Sequence, residues 1–206
     1  MIKNIIWDFD GTLFDTYSAF VRSVIDVIQE KYSILCDYNG ILKSAKIGPR
    51  HCINELAINH SLDGTTLKEE IWSRYFKVSE TEVAPFPGVQ EVCNHVSQIG
   101  CNLLVTHRDS SSLEELLHKY DLRKYFVETI SGDDGFSQKP DPGSFSYLIA
   151  KHRLLKHETL GVGDRELDVD AARNAGITSC YFSPDGVEMA DATYNIRSIK
   201  DLMPLL

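Results

Sequence analysis

Six side chains in this chain are of the types that phosphoryl chemistry uses. Asp8 and Asp10 lie in Asp8-Phe9-Asp10-Gly11-Thr12, Thr106 closes Leu103-Leu104-Val105-Thr106, Lys139 precedes Pro140, and Asp164 and Asp168 lie in Gly163-Asp164-Arg165-Glu166-Leu167-Asp168. Carboxylates a few ångströms apart oppose one another's ionisation, so gathering four of them is costly unless a cation neutralises the group. An all-oxygen ligand set with room for water and phosphate suits Mg²⁺. A lysine, a hydroxyl and backbone N–H groups beside carboxylate-bound Mg²⁺ would bind phosphoryl oxygens. The reactant implied is a phosphate ester.

The elements around these residues are of the kind that bring them together. Ile2–Trp7 is a short β-branched apolar run ending in a polar turn, which predicts a buried strand. Similar runs recur at Asn102–Thr106, Phe126–Ser131, Thr159–Val162 and Thr178–Phe182, with a weaker one at Thr193–Ile196. Between them lie helical stretches. Ser111 with Glu114 reads as a capping box ahead of Leu113, Leu116, Leu117 and Tyr120, and Asp141-Pro142 reads as N-cap plus first-turn proline for Gly143–Lys151. Alternating strands and helices from residue 88 onward predict an α/β fold, a doubly wound parallel sheet with helices on both faces. Ligands of such sheets bind beyond the carboxyl ends of the strands. There the first strand ends in Asp8 and Asp10, the second in Thr106-His107 and the fourth in Gly163-Asp164, while Lys139 precedes the helix before the fourth.

The segment 15–84 breaks the alternation. Phe20, Val24, Val27, Ile28 and Tyr32 mark one amphipathic helix, Pro49–His60 and Thr65–Val78 read as two more, and no strand is expected among them. This predicts an inserted α-helical cap at 15–84 on a core of 1–14 and 85–206, the chain returning at Pro85-Phe86-Pro87-Gly88.

Composition excludes several classes. With 206 residues, 43% hydrophobic and 25% charged, the chain suits a folded globular protein. A net charge of −9 without a basic block argues against nucleic-acid and anionic-membrane partners. Its apolar runs are shorter than a bilayer span, and a cytoplasmic location is expected. Cys36, Cys52, Cys93, Cys101 and Cys180 are odd in number and lack a Cys-x-x-Cys pair, so reduced and mostly buried thiols are expected, with no zinc site.

The motifs carry a resemblance. Asp8-Phe9-Asp10-Gly11-Thr12-Leu13 resembles the first signature of the haloacid dehalogenase (HAD) superfamily, Leu103–Thr106 its second, Lys139-Pro140 its third and Gly163–Asp168 its acidic fourth. Ala171-Ala172-Arg173-Asn174-Ala175-Gly176 is similar to the stretch after the fourth motif in the phosphoglycolate phosphatase and β-phosphoglucomutase-like branch, which also carries a helical cap. The resemblance implies a Rossmann-like core and a Mg²⁺-dependent phosphatase working through an aspartyl phosphate. Asp8 would be the nucleophile and Asp10 the general acid and base. Thr106, Lys139 and the N–H of His107 would bind the phosphate. Mg²⁺ would be held by Asp8, the Asp10 carbonyl, Asp164 and Asp168. Because Asp10 is present, phosphoryl transfer is favoured over carbon–halogen hydrolysis.

Blander readings stand beside these. Thr106 is also a plausible strand end, Asp168 the N-cap of a helix Val169–Ala175, and Trp7 and Trp72 core or domain-interface residues. Gly161-x-Gly163 lacks the third glycine of a dinucleotide loop. The side chains of His107 and Arg108 are candidates for substrate contact. Lys46-Ile47-Gly48-Pro49-Arg50 resembles the cap loop that faces the active site in this branch, with Arg50 placed to clamp an anionic group. A sugar phosphate mutase is the first alternative, but its histidine after the first motif is missing from Thr16–Val21. A receiver-type signalling domain lacks this first signature and the cap, and a silent phosphate-binding protein would have no use for intact motifs. A cap of this size suits a small phosphorylated metabolite.

Overall fold

The apolar run at the amino terminus forms β1 (Asn4–Trp7), the middle of a six-stranded sheet. The computed structural model describes residues 1–206, apart from the side chain of Glu80. The other strands are β2 (Asn102–Val105), β3 (Phe126–Ile130), β4 (Thr159–Gly163), β5 (Thr178–Phe182) and β6 (Tyr194–Ile196). All five pairings are parallel, in the order β3-β2-β1-β4-β5-β6. Every residue of β1, β2 and β4 is buried, which is why these strands read as continuous apolar runs without alternation. The edge strands β3 and β6 keep exposed positions.

Helices α5 (Val89–Ile99), α6 (Ser110–Lys119), α7 (Gly143–Lys151) and α8 (Glu166–Ala175) complete this unit. Ile6, Leu103 and Val105 pack with Phe145 and Leu148 of α7 and Ala172 of α8. The opposite face of β1 carries Trp7, whose indole Nε1 donates to Asn102 Oδ1 at 2.9 Å; Asn102 Nδ2 donates to the Cys93 carbonyl of α5 at 2.8 Å. Burial of this amide is thereby matched with partners, as a core polar group requires. Gly161 and Gly163 have a packing role: a Cβ at Gly161 would stand 2.6 Å from the Ala172 Cβ, so α8 can lie this close to β4 only over a glycine.

The chain divides into two compact units, Met1–Phe14 with Pro85–Leu206, and Asp15–Ala84. The second contains α1 (Tyr17–Tyr32), α2 (Tyr38–Ile47), α3 (Pro49–His60) and α4 (Gly64–Glu82). Phe20 of α1 meets Trp72 and Tyr75 of α4 at ring separations of 5.7 and 6.1 Å, and Arg74 pairs with Asp26 and Glu30. Helix α2 was not among the expected three. Only Ile41, Ser44 and Ala45 of it are buried, so its apolar period is one turn long, and the helix starts on a cap: Asp37 accepts from Gly40 N at 2.8 Å. Consequently Lys46-Ile47-Gly48-Pro49-Arg50 is a corner between α2 and α3, where Gly48 alone separates two helices, and not an extended loop.

Three boundaries also differ. Helix α6 starts on Asp109, whose carboxylate accepts from Ser112 N at 2.9 Å; the expected Ser111–Glu114 capping box is not used, and Glu114 instead pairs with Arg123. Pro142 stands at the N-cap of α7 while Asp141 Oδ1 accepts from Gly143 N at 2.8 Å. Helix α4 runs on to Glu82, past the expected Val78. Among the described residues no helix is long and apolar enough to cross a membrane. All five cysteines are free thiols, and burial raises the pKa of those at Cys52 and Cys180 to about 11 and 12.

Candidate active site

Strand order puts β1 between β2 and β4, the point at which a doubly wound sheet reverses direction and opens a crevice. Trp7 is in register with Leu104 and Val162, so Asp8 emerges level with the ends of both neighbours. Its backbone N–H donates to the Val162 carbonyl at 2.9 Å. The chain then turns sharply: Leu13 and Phe14 both donate to the Phe9 carbonyl at 3.0 Å, and Gly11 takes φ 80°, a conformation that favours glycine. That turn brings Thr12 back beside Asp8, its Oγ1 being 3.4 Å from Asp8 Oδ2 and 3.4 Å from Asp164 Oδ1.

Lys139 enters from the segment between β3 and α7. Its ammonium donates to Asp8 Oδ1 at 2.5 Å and to the Val105 carbonyl at 3.1 Å, and forms an ion pair with Asp168, whose Oδ1 lies 2.5 Å away. Burial works against the charge, but Asp168 and Asp8 outweigh it and hold the Lys139 pKa above its ordinary value. The reverse balance applies to Asp8. Burial, then the charge of Asp168, raises its pKa to about 6 despite the opposing pull of Lys139 and Arg165.

Asp168 occupies the third position of α8, not the N-cap, and its Oδ2 accepts from Arg165 N at 3.1 Å. This half of a capping box turns the carboxylate inward. Gly163 makes room for it, since a Cβ there would stand 2.2 Å from the Asp168 Cβ. One oxygen each of Asp8, Asp164 and Asp168 lie within 4.8 Å of one another, and all three residues are buried. Three buried carboxylates face the Lys139 ammonium, with the Arg165 guanidinium farther off at 4.0 Å from Asp168 Oδ2, so negative charge is in excess among the buried groups. A hard divalent cation fits this oxygen-only donor set, and Mg²⁺ is the natural candidate.

Asp10 does not join that trio. Its carboxylate is held by Arg108, with Nη2 at 2.5 Å and Nε at 3.2 Å from Oδ1. Thr106 is buried, and its hydroxyl oxygen accepts from Arg108 N at 3.1 Å. The ring of His107 turns toward the Lys139 segment, Nε2 accepting from Lys139 N at 3.0 Å. Burial, then the charges of Lys139 and Arg165, lowers the His107 pKa to about 4, so the ring is neutral and its proton sits on Nδ1. Arg50 is exposed in the first turn of α3, in the helical unit. Asp8, Lys139, Asp164 and Asp168 are thus brought together, Thr106 and His107 lie on the adjoining loop, and Asp10 is paired with Arg108. Thr12 was not singled out from the sequence as a site residue, although it is the threonine of Asp8-x-Asp10-x-Thr12. The Arg108–Asp10 pair had no signal at all, because 98 residues separate the two.

A sequence model of the haloacid dehalogenase-like hydrolase family matches residues 5–182. The chain is 30% identical over 188 residues to a phosphoglycolate phosphatase of Vibrio parahaemolyticus, covering 86% of this chain and 82% of that protein. Among solved structures it is similar to a hydrolase from Streptococcus pneumoniae, with 27% identity, TM-score 0.74, and 99% and 97% of the two chains covered. A Thermotoga maritima protein assigned as a β-phosphoglucomutase shares the fold at TM-score 0.83 and 21% identity, with 99% and 98% covered.

Proposed function

This chain belongs to the haloacid dehalogenase-like hydrolase family, and from that premise we propose that it is a Mg²⁺-dependent phosphatase of small phosphomonoesters, working through an aspartyl phosphate. The observation that carries the reading is the placement of Asp8, with Lys139 on Oδ1, Thr12 near Oδ2, and Asp164 and Asp168 alongside. Oδ of Asp8 attacks phosphorus as the ester P–O bond breaks, and Asp10 gives its proton to the departing alcohol oxygen. Water then attacks the same phosphorus and Asp10 takes its proton; the bond to Asp8 breaks, releasing phosphate. Lys139, the Thr106 hydroxyl and the His107 N–H bind the non-bridging oxygens, contributing a few kcal/mol in total, by analogy with oxyanion stabilisation. Asp8, Asp164 and Asp168, with the backbone carbonyl of Asp10, would hold Mg²⁺, which when bound offsets their charge and withdraws electrons from the phosphoryl oxygens.

The helical unit Asp15–Ala84 acts as the cap that selects substrate, with Arg50 as its clamp for an anionic group. A small anionic ester is favoured, and phosphoglycolate, the substrate in the name of the Vibrio relative, belongs first on the panel. The test is phosphate release from a panel of phosphomonoesters with and without Mg²⁺, run beside Asp8→Asn. Mg²⁺-dependent release lost in that variant is expected. Release that persists in Asp8→Asn would remove the nucleophile, and isomerisation of a sugar phosphate without release would turn the reading to a mutase.

A further inference from the structure

Arg108 is immobilised around Asp10 more completely than a surface ion pair needs. Nη2 lies 2.5 Å from Asp10 Oδ1, and Nε lies 3.2 Å from Oδ1 and 3.3 Å from Oδ2. Nη1 lies 3.3 Å from Ser112 Oγ in α6, and the guanidinium carbon sits 5.3 Å from the centre of the Phe9 ring. That ring is wholly buried and stacked on Phe14 at 4.6 Å. The backbone of Arg108 is fixed as well: its N–H donates to Thr106 Oγ1 at 3.1 Å and its carbonyl accepts from Gly132 N at 2.7 Å. A planar fork braced by a ring, a hydroxyl and two loop contacts sets both the position and the plane of the carboxylate it grips.

We propose that Arg108 is the positioning residue for Asp10, holding it where the proton of the departing alcohol is exchanged, and that it does not bind the phosphoryl group. This rests on the phosphatase reading. In the step concerned the ester P–O bond breaks, the bond from Asp8 to phosphorus forms, and the proton moves from the Asp10 carboxyl to the alcohol oxygen. An alcohol that leaves readily needs that proton little, whereas a basic alkoxide needs it most. A residue acting through Asp10 therefore shows itself in how the rate depends on the leaving group. One that binds phosphoryl oxygens affects all esters alike, and one that binds an anionic leaving group follows its charge and not its basicity.

The experiment measures kcat/KM on nitrophenyl, phenyl and simple alkyl phosphates, none with a second anionic group, for the wild type, Arg108→Gln, Arg108→Lys and Ser112→Ala. The loss in Arg108→Gln should grow along the series, the alkyl ester falling about tenfold or more beyond the nitrophenyl ester. Arg108→Lys, which offers a point charge in place of the fork, should restore part of it. Arg108→Gln combined with Asp10→Asn should lose little beyond Asp10→Asn alone. If Arg108→Gln does not fold, Arg108→Lys and Ser112→Ala make the same comparison, with a smaller but still graded loss. Equal losses on all esters, or full additivity with Asp10→Asn, would overturn the inference while leaving the phosphatase reading intact. A wild-type protein that hydrolyses none of these esters, nor any on the wider panel, would overturn both.

Discussion

The ammonium of Lys139 lies 2.5 Å from Asp8 Oδ1, across 131 residues of chain and with both side chains almost wholly buried. It also pairs with Asp168 and donates to the Val105 carbonyl, so one cation ties together the ends of β1 and β2 and the start of α8. Removing it would leave buried carboxylates facing one another.

Lys139→Ala should therefore cost about 3–5 kcal/mol of stability in metal-free protein, the range for breaking a buried ion pair. Mg²⁺ should return part of that by supplying positive charge to the same oxygens. Denaturant unfolding with and without Mg²⁺ reads both effects, and a loss under 1 kcal/mol would show that the pair matters little to folding.

Asp8 makes stability depend on pH. Its pKa is about 6 in the fold and 3.8 for an ordinary aspartate, so between those limits the folded state binds more protons than the unfolded one. Metal-free protein should accordingly lose stability as pH rises from about 4 to 6, by up to about 3 kcal/mol from this group. Mg²⁺ competes with that proton, so the rise in Tm on adding Mg²⁺ should be larger at pH 7 than at pH 5. An equal rise at both would separate Asp8 from the metal.

Two glycines on β4 should separate packing from metal support. Gly163→Ala would push on Asp168, with the new Cβ 2.2 Å from its Cβ, and should weaken Mg²⁺ affinity as well as stability. Gly161→Ala meets Ala172 at 2.6 Å and should cost about 1–3 kcal/mol by overpacking, with a much smaller change in Mg²⁺ affinity. Calorimetric titration with Mg²⁺ on both variants checks the contrast.

His107 accepts from Lys139 N, and its pKa of about 4 keeps it neutral, so its titration should add no limb to the activity profile between pH 5 and 8. His107→Phe removes the acceptor and should cost about 1–3 kcal/mol. His107→Gln, whose amide oxygen also accepts, should recover part of this. A Phe variant as stable as the Gln variant would mean that the hydrogen bond adds nothing.

For Arg50 the readout is kinetic. Arg50→Ala should raise KM for the preferred anionic ester about tenfold more than for nitrophenyl phosphate, with kcat little changed. Equal shifts on the two esters would take Arg50 out of the substrate site.

Much of the fold was legible because strands buried on both faces have no choice of side. Ile5-Ile6-Trp7 and Leu103-Leu104-Val105 can only be core strands, and a polar residue directly after each marks its end. Helix α2 was not legible: its buried side is one turn long and two of its three buried residues are Ser44 and Ala45, so apolar periodicity had little to register. The α6 boundary was misjudged because Asp109, Ser111 and Ser112 are all acceptable caps, and only the backbone path selects Asp109.

The amino-acid sequence by itself determined which groups carry chemistry and which strand ends present them, since residue type and strand length are local properties. Pairing was decided by tertiary structure. Lys139 bridges Asp8 and Asp168, His107 is drawn to the Lys139 backbone instead of presenting its ring as a ligand, and Arg108 clasps Asp10. Each of these depends on two loops arriving at the same rim at the same depth. That is set by sheet register and by the close seating of α8 over Gly161 and Gly163, and no pattern within a single segment encodes it.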